Sequence, residues 1–209
     1  MRRRSPRSVP SAGRARSIPP SRLRSLAAHG VRLSNGSRAR FRRATLKDVS
    51  TVARFRRSLF EEMEEHSAES LDRYDPVFTK WYVRELRAGR LTGVVAESES
   101  GMPIATGLAW LQPRHPSPRF PHTELPYILQ VYTVPDARRR GVAAAIVQAL
   151  VEEARTNGYP RVLLHATRSG RSVYERLGFE ATSEMRIEFP RSGLSATART
   201  KRRGRQHAR

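Results

Sequence analysis

Apolar residues in the middle of the chain recur with the spacing of helices in some segments and of strands in others. After Thr45, whose hydroxyl can cap a helix together with Asp48, an apolar side chain stands at every third or fourth position. This spacing predicts an amphipathic helix with one buried face. That face consists of Val49, Val52, Phe55, Leu59 and Met63.

A second helix is predicted to begin at Asp75 and Pro76, which are typical N-cap and first-turn residues, and to end near Gly89. Its buried side has four large residues: Phe78, Trp81, Tyr82 and Leu86. A polar stretch follows the first helix, and its titratable members are Glu61, Glu62, Glu64, Glu65 and His66.

Shorter apolar runs, bounded by glycine, proline or polar turns, predict strands. We expect an edge strand at 38–44, a hairpin at 91–97 and 103–111, and a buried central strand at 127–134. A helix from Gly141 to Asn157, a buried strand at 161–166, a helix at 171–177 and a last strand or hairpin at 179–189 complete the order. Together these elements predict one mixed α/β domain.

Composition divides the chain into a domain and two basic tails. The formal net charge is +21, but residues 1–37 hold nine arginines and no acid, and residues 190–209 hold seven basic residues and no acid. Residues 38–189 carry 24 basic and 19 acidic side chains, an ordinary balance. The tails contain too few large apolar residues to offset their ordering entropy, so we expect them to be disordered.

Three interpretations fit the N-terminal tail. An Arg-rich and Ser-rich leader without acids is typical of an organellar transit peptide, and a basic arm can contact nucleic acid weakly. The third interpretation is an extension without function, with translation starting at a later position such as Val31. We favour the third, because composition alone indicates little. The C-terminal tail has the same alternatives.

The chain contains no cysteine, which excludes disulfides, thiolate zinc sites and a cysteine nucleophile. No apolar run approaches the roughly 20 residues that a membrane-spanning helix needs. We therefore expect a soluble, cytoplasmic protein with no membrane partner, as a monomer or a homodimer.

A short basic turn lies directly before the predicted helix at Gly141. Residues 138–140 are all arginine, and the small residues 142–144 leave the backbone N–H groups of the helix start accessible. Such a helix start carries about half a positive charge, so the segment predicts a phosphate or pyrophosphate site. It is neither a Walker loop nor a GxGxxG loop. Taken alone, it is equally a tight turn eased by a glycine.

Two motifs in this region resemble the GNAT acetyltransferase superfamily. The first, (Arg or Gln)-x-x-Gly-x-(Gly or Ala) after a central strand, is matched by Arg138, Gly141 and Ala143. The second, Tyr-x-x-x-Gly-Phe after the next strand, is matched by Tyr174, Gly178 and Phe179 in SVYERLGFE. The predicted order of elements from about 38 to 189 is also similar to that of the family.

The resemblance implies an α/β fold with a central mixed, mostly antiparallel β-sheet flanked by helices, in which splayed central strands form the acetyl-CoA cleft. It implies acetyl-CoA as cosubstrate and no metal. Tyr174 would protonate the departing CoA thiolate; without its motif it would be a packing aromatic. Residues 131–133 would bind the pantetheine arm, and backbone amides after Arg138 the pyrophosphate. The implied cofactor-binding residues are Val131, Tyr132, Thr133, Arg138, Arg139, Arg140, Gly141, Val142, Ala143 and Ala144.

No residue stands out as the general base. Glu124 and Gln130 lie on the strand expected to reach the site, but a glutamine can only orient a water or the substrate. His165 lies in an apolar run, where we expect a satisfied core histidine. The cluster from Glu61 to His66 could attract a cationic amine, although we favour a solvated helix end.

The function implied by the resemblance is acetyl transfer from acetyl-CoA to a primary amine of an unidentified acceptor, by direct attack in a ternary complex. The absence of cysteine agrees with a reaction that has no covalent enzyme intermediate. Two alternatives stay open. One is a catalytically weak CoA-binding module with a regulatory role, and the other is a nucleic-acid-associated protein that acts through its tails.

Overall fold

The computed structural model describes residues 31–32, 38–118, 120–187 and 189. Its centre is a six-stranded sheet in which the strands follow chain order. Neighbouring strands from β1 to β5 are antiparallel, and β5 pairs with β6 in parallel. The strands are β1 Val31–Arg32, β2 Arg38–Arg43, β3 Leu91–Glu97, β4 Pro103–Pro113, β5 Glu124–Thr133 and β6 Leu163–Leu164.

Helices cover both faces of this sheet, as the predicted mixed α/β fold requires. The helices are α1 Val49–Met63, α2 Ala68–Arg87, α3 Val142–Thr156 and α4 Arg171–Arg176. The predicted cap is confirmed: Thr45 and Asp48 form a capping box around a short 3-10 turn that leads into α1. The predicted hairpin is confirmed as β3 and β4.

Two hydrophobic clusters lie on opposite faces of the sheet. Helix α3 packs on one face through Val142, Ile146 and Leu150, which contact strand residues such as Ala109 and Ile128. This contact is close because β4 has Gly107, where a Cβ atom would lie 2.5 Å from Cγ2 of Ile146. Helices α1 and α2 cover the other face around Val52, Phe78, Tyr82, Leu91 and Leu108.

Helix α2 begins earlier than predicted, so the assignment of Asp75 and Pro76 as its start is wrong. The N-cap is Ser67, whose side chain accepts a hydrogen bond from the N–H of Ser70, and Pro76 lies inside the helix. An internal proline removes one helical hydrogen bond. Ion pairs from α1 hold the helical turn before the proline: Arg57 contacts Asp72 at 2.6 Å and Asp75 at 3.0 Å.

The predicted final strand at 179–189 is also wrong. Residues 179–187 contain no helix or strand, and Met185, Ile187 and Phe189 expose 95%, 76% and 77% of their surface. Residues 180–187 and 189 belong to a second unit and not to the compact unit that ends at Phe179. A strand needs a partner edge for its N–H and C=O groups, and the alternating pattern of this segment has none among the described residues.

Strand β1 lies within the segment predicted to be a disordered extension. Val31 and Arg32 pair with Ala39 and Arg38, so the described sheet begins before residue 38. The predictions for residues 1–30, 33–37 and 190–209 lie outside the described part of the chain. Within the described part, no helix has the length and apolar composition that crossing a membrane requires.

Candidate active site

The two central strands β5 and β6 separate after a short parallel contact. Only Tyr127 and Ile128 of β5 pair with β6, through Leu163 and Leu164. On its other edge β5 continues to pair with β4 as far as Thr133. Residues 129–133 therefore present a strand edge with no partner strand among the described residues. This separation is the predicted splay, and it contains the predicted residues Val131, Tyr132 and Thr133.

A β-bulge at Gln130 marks the point where the strands separate. Pairing with β4 passes from Leu108–Leu129 to Thr106–Tyr132, so β5 has one extra residue here. Gln130 has a φ of +56°, which is uncommon for a side chain other than glycine. Its Oε1 atom is buried without a hydrogen-bond donor. A strained residue with an unmet polar atom is typical of a functional position.

The turn from β5 to α3 directs several backbone N–H groups to one place. Arg139 and Gly141 have φ values of +58° and +81°, and Gly141 is the N-cap of α3. Within the described residues, the N–H groups from Arg139 to Ala144 have no acceptor. A Cβ at Gly141 would meet no atom within 4 Å, so the space in front of the turn is open. Alternating left-handed residues before a helix form an anion-binding concavity. We call this turn, residues 138–144, the cradle.

Arg138 connects the cradle to the end of α1. Its Nη2 lies 2.6 Å and 2.7 Å from the two carboxylate oxygens of Glu62, and its Nε donates to the carbonyl of Thr133 at 2.8 Å. Glu62 also accepts from the hydroxyl of Tyr132 at 2.9 Å. The predicted motif arginine is therefore an anchor for the turn in this structure, and the cradle's open donors are backbone groups. Burial, followed by the hydrogen bond to Glu62, raises the pKa of Tyr132.

Tyr174 lies on α4, a single helical segment of six residues. Gly178 has a φ of +85°, which ends the helix and turns Phe179 back onto Tyr174, with ring centroids 6.0 Å apart. Both rings pack against the cluster that includes Val142 of α3. The Tyr174 hydroxyl has no hydrogen-bond partner among the described residues, and burial raises the pKa of Tyr174. The phenol therefore keeps its proton at neutral pH.

The candidates for the general base are not brought together. Glu124 pairs with Pro113 at the far end of β5, away from the splay. The interpretation of His165 as a core residue is wrong: the predicted strand at 161–166 shortens to Leu163–Leu164, and His165 is exposed. Its Nδ1 hydrogen-bonds the hydroxyl of Tyr127.

The members of the acidic cluster at the end of α1 make different contacts. Glu61 binds Arg57 one helical turn before it, and the ring of His66 lies edge-on against Phe60 with centroids 5.0 Å apart. Glu62 reaches the cradle, whereas Glu64 ends the helix with a φ of +53°. The four glutamates and His66 are exposed, as expected of a solvated helix end, and Glu62 in addition pairs with Arg138.

A shallow cavity of about 450 Å³, widely open to solvent, is lined by residues of the helices and of the sheet beside the bulge. Helices α1 and α2 contribute Arg56, Phe78 and Trp81, and the strands contribute Trp110, Gln112, Tyr127, Leu129 and Gln130. The sequence pattern predicted Phe78 and Trp81 only as part of a buried helix face, and it indicated no role for Arg56, Trp110, Gln112 or Tyr127 at a site. No local sequence pattern could identify these residues, because the cavity brings together residues from four separate elements.

Comparisons with known proteins agree with this geometry. The profile of the Acetyltransferase (GNAT) family matches residues 53–179. A GCN5-related N-acetyltransferase from Ralstonia eutropha is 30% identical, with a TM-score of 0.66, and the match covers 72% of this chain and 98% of that one. No curated protein sequence matches the chain.

Two further solved structures are similar. A predicted acetyltransferase from Clostridium acetobutylicum, crystallised with acetyl-CoA, is 26% identical with a TM-score of 0.66, covering 73% of this chain and 96% of that one. A ribosomal-protein-alanine N-acetyltransferase from Brucella melitensis is 18% identical with a TM-score of 0.55, covering 73% and 99%, and shows the fold alone. The splayed strands, the cradle and the profile match together show that the chain belongs to the Acetyltransferase (GNAT) family.

Proposed function

We propose that this protein transfers the acetyl group of acetyl-CoA to a primary amine by direct attack in a ternary complex. The observation that carries the proposal is the combination of an open cradle at the start of α3 with an unpaired strand edge at 129–133. A pyrophosphate needs the first feature, and an extended amide-containing arm needs the second. The similar protein from Clostridium acetobutylicum was crystallised with acetyl-CoA.

The cradle is the proposed pyrophosphate site. The backbone N–H groups of Arg139 to Ala144 would donate to the phosphate oxygens, and the guanidinium groups of Arg139 and Arg140 would add positive charge. Arg138 would support this site from its contacts with Glu62 and Thr133. Val131 to Thr133 would bind the pantetheine arm through the free backbone edge.

The proposed reaction forms one C–N bond and breaks one C–S bond. The neutral amine attacks the thioester carbonyl, whose oxygen takes up charge and is stabilised by backbone donors of the splayed strand. As the C–S bond breaks, the proton of Tyr174 passes to the sulfur, and the nitrogen loses a proton to water or to the solvent-connected pair Tyr127–His165. The tyrosinate then regains a proton from solvent, which leaves N-acetylamine and CoA.

Two-substrate initial-rate kinetics test this proposal. The thiol of released CoA can be measured with a thiol reagent without background, because the chain has no cysteine. Direct transfer predicts intersecting double-reciprocal lines, and a covalent acetyl-enzyme predicts parallel lines. Mass spectrometry of the product identifies the acetylated amine. Acetyl-CoA binding without CoA release for any amine would favour the regulatory alternative.

A further inference from the structure

The cavity beside the bulge has one charged side chain in its lining, Arg56. No Asp or Glu lines it within the described residues, so an acceptor that carries only positive charge finds no counter-ion there. Behind the wall, the buried carboxylate of Glu85 accepts a hydrogen bond from Nε1 of Trp110 at 3.2 Å, and Asp75 contacts Arg56 itself. Arg84 and Arg90 already neutralise Glu85. The cavity is therefore suited to an anionic group.

Arg56 has donors left over for such a group. Its side chain is only 15% exposed, and within the described residues it makes one hydrogen bond, from Nη1 to Asp75 at 3.0 Å. Its guanidinium is stacked between the rings of Phe60 and Phe78, each 4.6 Å away. Asp75 contacts both Arg56 and Arg57, and Arg57 also pairs with Glu61 and Asp72, so the free N–H groups of Arg56 and not an excess of charge are what it offers a ligand. A buried guanidinium fork with unused N–H groups matches a carboxylate.

Gln130, which also lines the cavity, has a side-chain oxygen that accepts no hydrogen bond within the described residues. Its Oε1 is buried without a donor, and the residue lines the cavity at the point where β5 leaves β6. The last torsion of a glutamine side chain is broad, so the amide can turn toward a ligand. An N–H group delivered by a ligand would satisfy this oxygen. A primary amine is such a donor.

The space between these two polar groups is aromatic. Trp81 and Trp110 meet edge to face with centroids 5.7 Å apart, and Tyr127 and Leu129 complete the wall. These side chains favour an aromatic or large aliphatic body by apolar burial. An apolar wall without carboxylates also disfavours the ammonium form, which helps to keep the attacking amine neutral.

We infer that the cavity binds the acceptor, and that this acceptor is an amine that also carries a carboxylate and an aromatic or large aliphatic body, as α-amino acids do. The inference rests on the proposed function. Gln130 orients the amine at the start of the splay, Arg56 binds the carboxylate, and the tryptophans cover the side chain. A volume of about 450 Å³ suits a molecule of this size.

Matched acceptors test the inference in the full-length protein. L-Phenylalanine and 2-phenylethylamine differ only by the carboxylate, glycine lacks the apolar body, and putrescine is an amine with two positive charges. With acetyl-CoA saturating, we expect kcat/KM for phenylalanine to exceed that of the other three by about tenfold or more. An equal or higher value for phenylethylamine or putrescine would overturn the inference.

Variants test which residues distinguish phenylalanine from phenylethylamine. Arg56→Met should lower kcat/KM for phenylalanine about 10- to 100-fold, mainly through KM, with little change for phenylethylamine. Gln130→Met should lower kcat/KM for both acceptors by a similar factor. Arg57→Met is the matched control, because Arg57 also pairs with Asp75 but does not line the cavity, and it should leave the phenylalanine-to-phenylethylamine ratio unchanged. An unchanged ratio in a folded Arg56→Met protein would contradict the assignment.

Separate outcomes distinguish this inference from the proposed function. If acetyl-CoA fails to bind the folded protein, the proposed function fails, and the inference with it. If acetyl-CoA binds and another amine is acetylated but phenylalanine is not, the inference alone is overturned. If Arg56→Met does not fold, the ratio in the unmodified protein and the effect of Gln130→Met still decide the question.

Discussion

The two halves of the sheet differ in whether their polar groups have hydrogen-bond partners. In the closed half, β2 to β4 with α1 and α2, the buried carboxylates are fully paired: Asp48 with Arg42 at 2.7 Å and 2.8 Å, and Glu85 with Arg90 at 2.8 Å and 3.0 Å. In the open half, β5 and β6 with α3 and α4, the cradle N–H groups, Oε1 of Gln130 and the Tyr174 hydroxyl have no partner within the described residues.

This difference indicates which residues contribute to stability and which contribute to ligand binding. An unpaired buried atom such as Oε1 of Gln130 costs folding free energy, and a fold retains it where a ligand completes its hydrogen bond, whereas the cradle N–H groups are open to a ligand from the surface. Substitutions of the paired carboxylates Asp48 and Glu85 in the closed half should therefore change the free energy of unfolding and leave ligand affinity intact. Substitutions in the open half should do the reverse.

The largest effect is expected for Tyr174→Phe. Loss of the proposed acid should lower kcat by about 10²- to 10⁴-fold, while acetyl-CoA affinity and the free energy of unfolding stay nearly constant, because the hydroxyl makes no hydrogen bond within the described residues. Steady-state kinetics, calorimetry and denaturant unfolding measure the three quantities. An unchanged kcat would remove Tyr174 from the mechanism.

Glu85→Gln is the corresponding test of the closed half. Hydrogen bonds from Arg90 lower the pKa of Glu85 to about 2 against the opposing effect of burial. Breaking this buried network should reduce the free energy of unfolding by about 3 kcal/mol. Glu69→Gln is the control, since its pair with Arg73 is exposed and contributes less than about 0.5 kcal/mol. Equal stability losses in the two variants would contradict the account.

The same carboxylates make the stability pH-dependent. The folded pKa values of Glu85 and Asp48 lie below their unfolded values, so their contribution is complete above about pH 4.5 and is lost as the pH falls toward 2. Between pH 5 and pH 3 the unmodified protein should lose about 1 to 2 kcal/mol more unfolding free energy than Glu85→Gln. Parallel pH profiles would show that Glu85 is not responsible.

The smallest effect concerns the link between Arg138 and Glu62. Both side chains are about 40% exposed, so the pair should contribute no more than about 1 kcal/mol to stability. A double-mutant cycle with Arg138→Gln and Glu62→Gln, read out as acetyl-CoA affinity, should show a non-additive effect, because Arg138 supports the cradle through Glu62. Strict additivity would indicate that Arg138 acts on the ligand independently.

Local signals predicted the elements and the cradle. The capping box at Thr45, the apolar period of α1 and the Gly178–Phe179 turn depend on neighbours in sequence, and each has the predicted form. The start of α2 was misplaced because a proline is a strong local signal, which ion pairs from α1 override. The prediction of a last strand is wrong because an alternating pattern does not show whether a partner edge is available.

Contacts distant in sequence could not be predicted. Glu62 meets Arg138 across 76 positions, and the acceptor cavity combines residues of four elements. Arg56 has the sequence surroundings of a surface arginine on an amphipathic helix. Its burial depends on Phe78 of the next helix, which no local pattern in α1 reveals.

Calorimetric titration of acetyl-CoA into the full-length protein and two glycine variants tests the central claim most directly. Gly141 and Gly158 have φ values of +81° and +79°, and a Cβ at either would meet no atom within 4 Å, so Gly141→Val and Gly158→Val carry the same backbone strain. We predict saturable binding to the unmodified protein and to Gly158→Val, and a loss of about 100-fold or more for Gly141→Val. No binding by the folded unmodified protein, or equal losses in both variants, would contradict the assignment of the cradle.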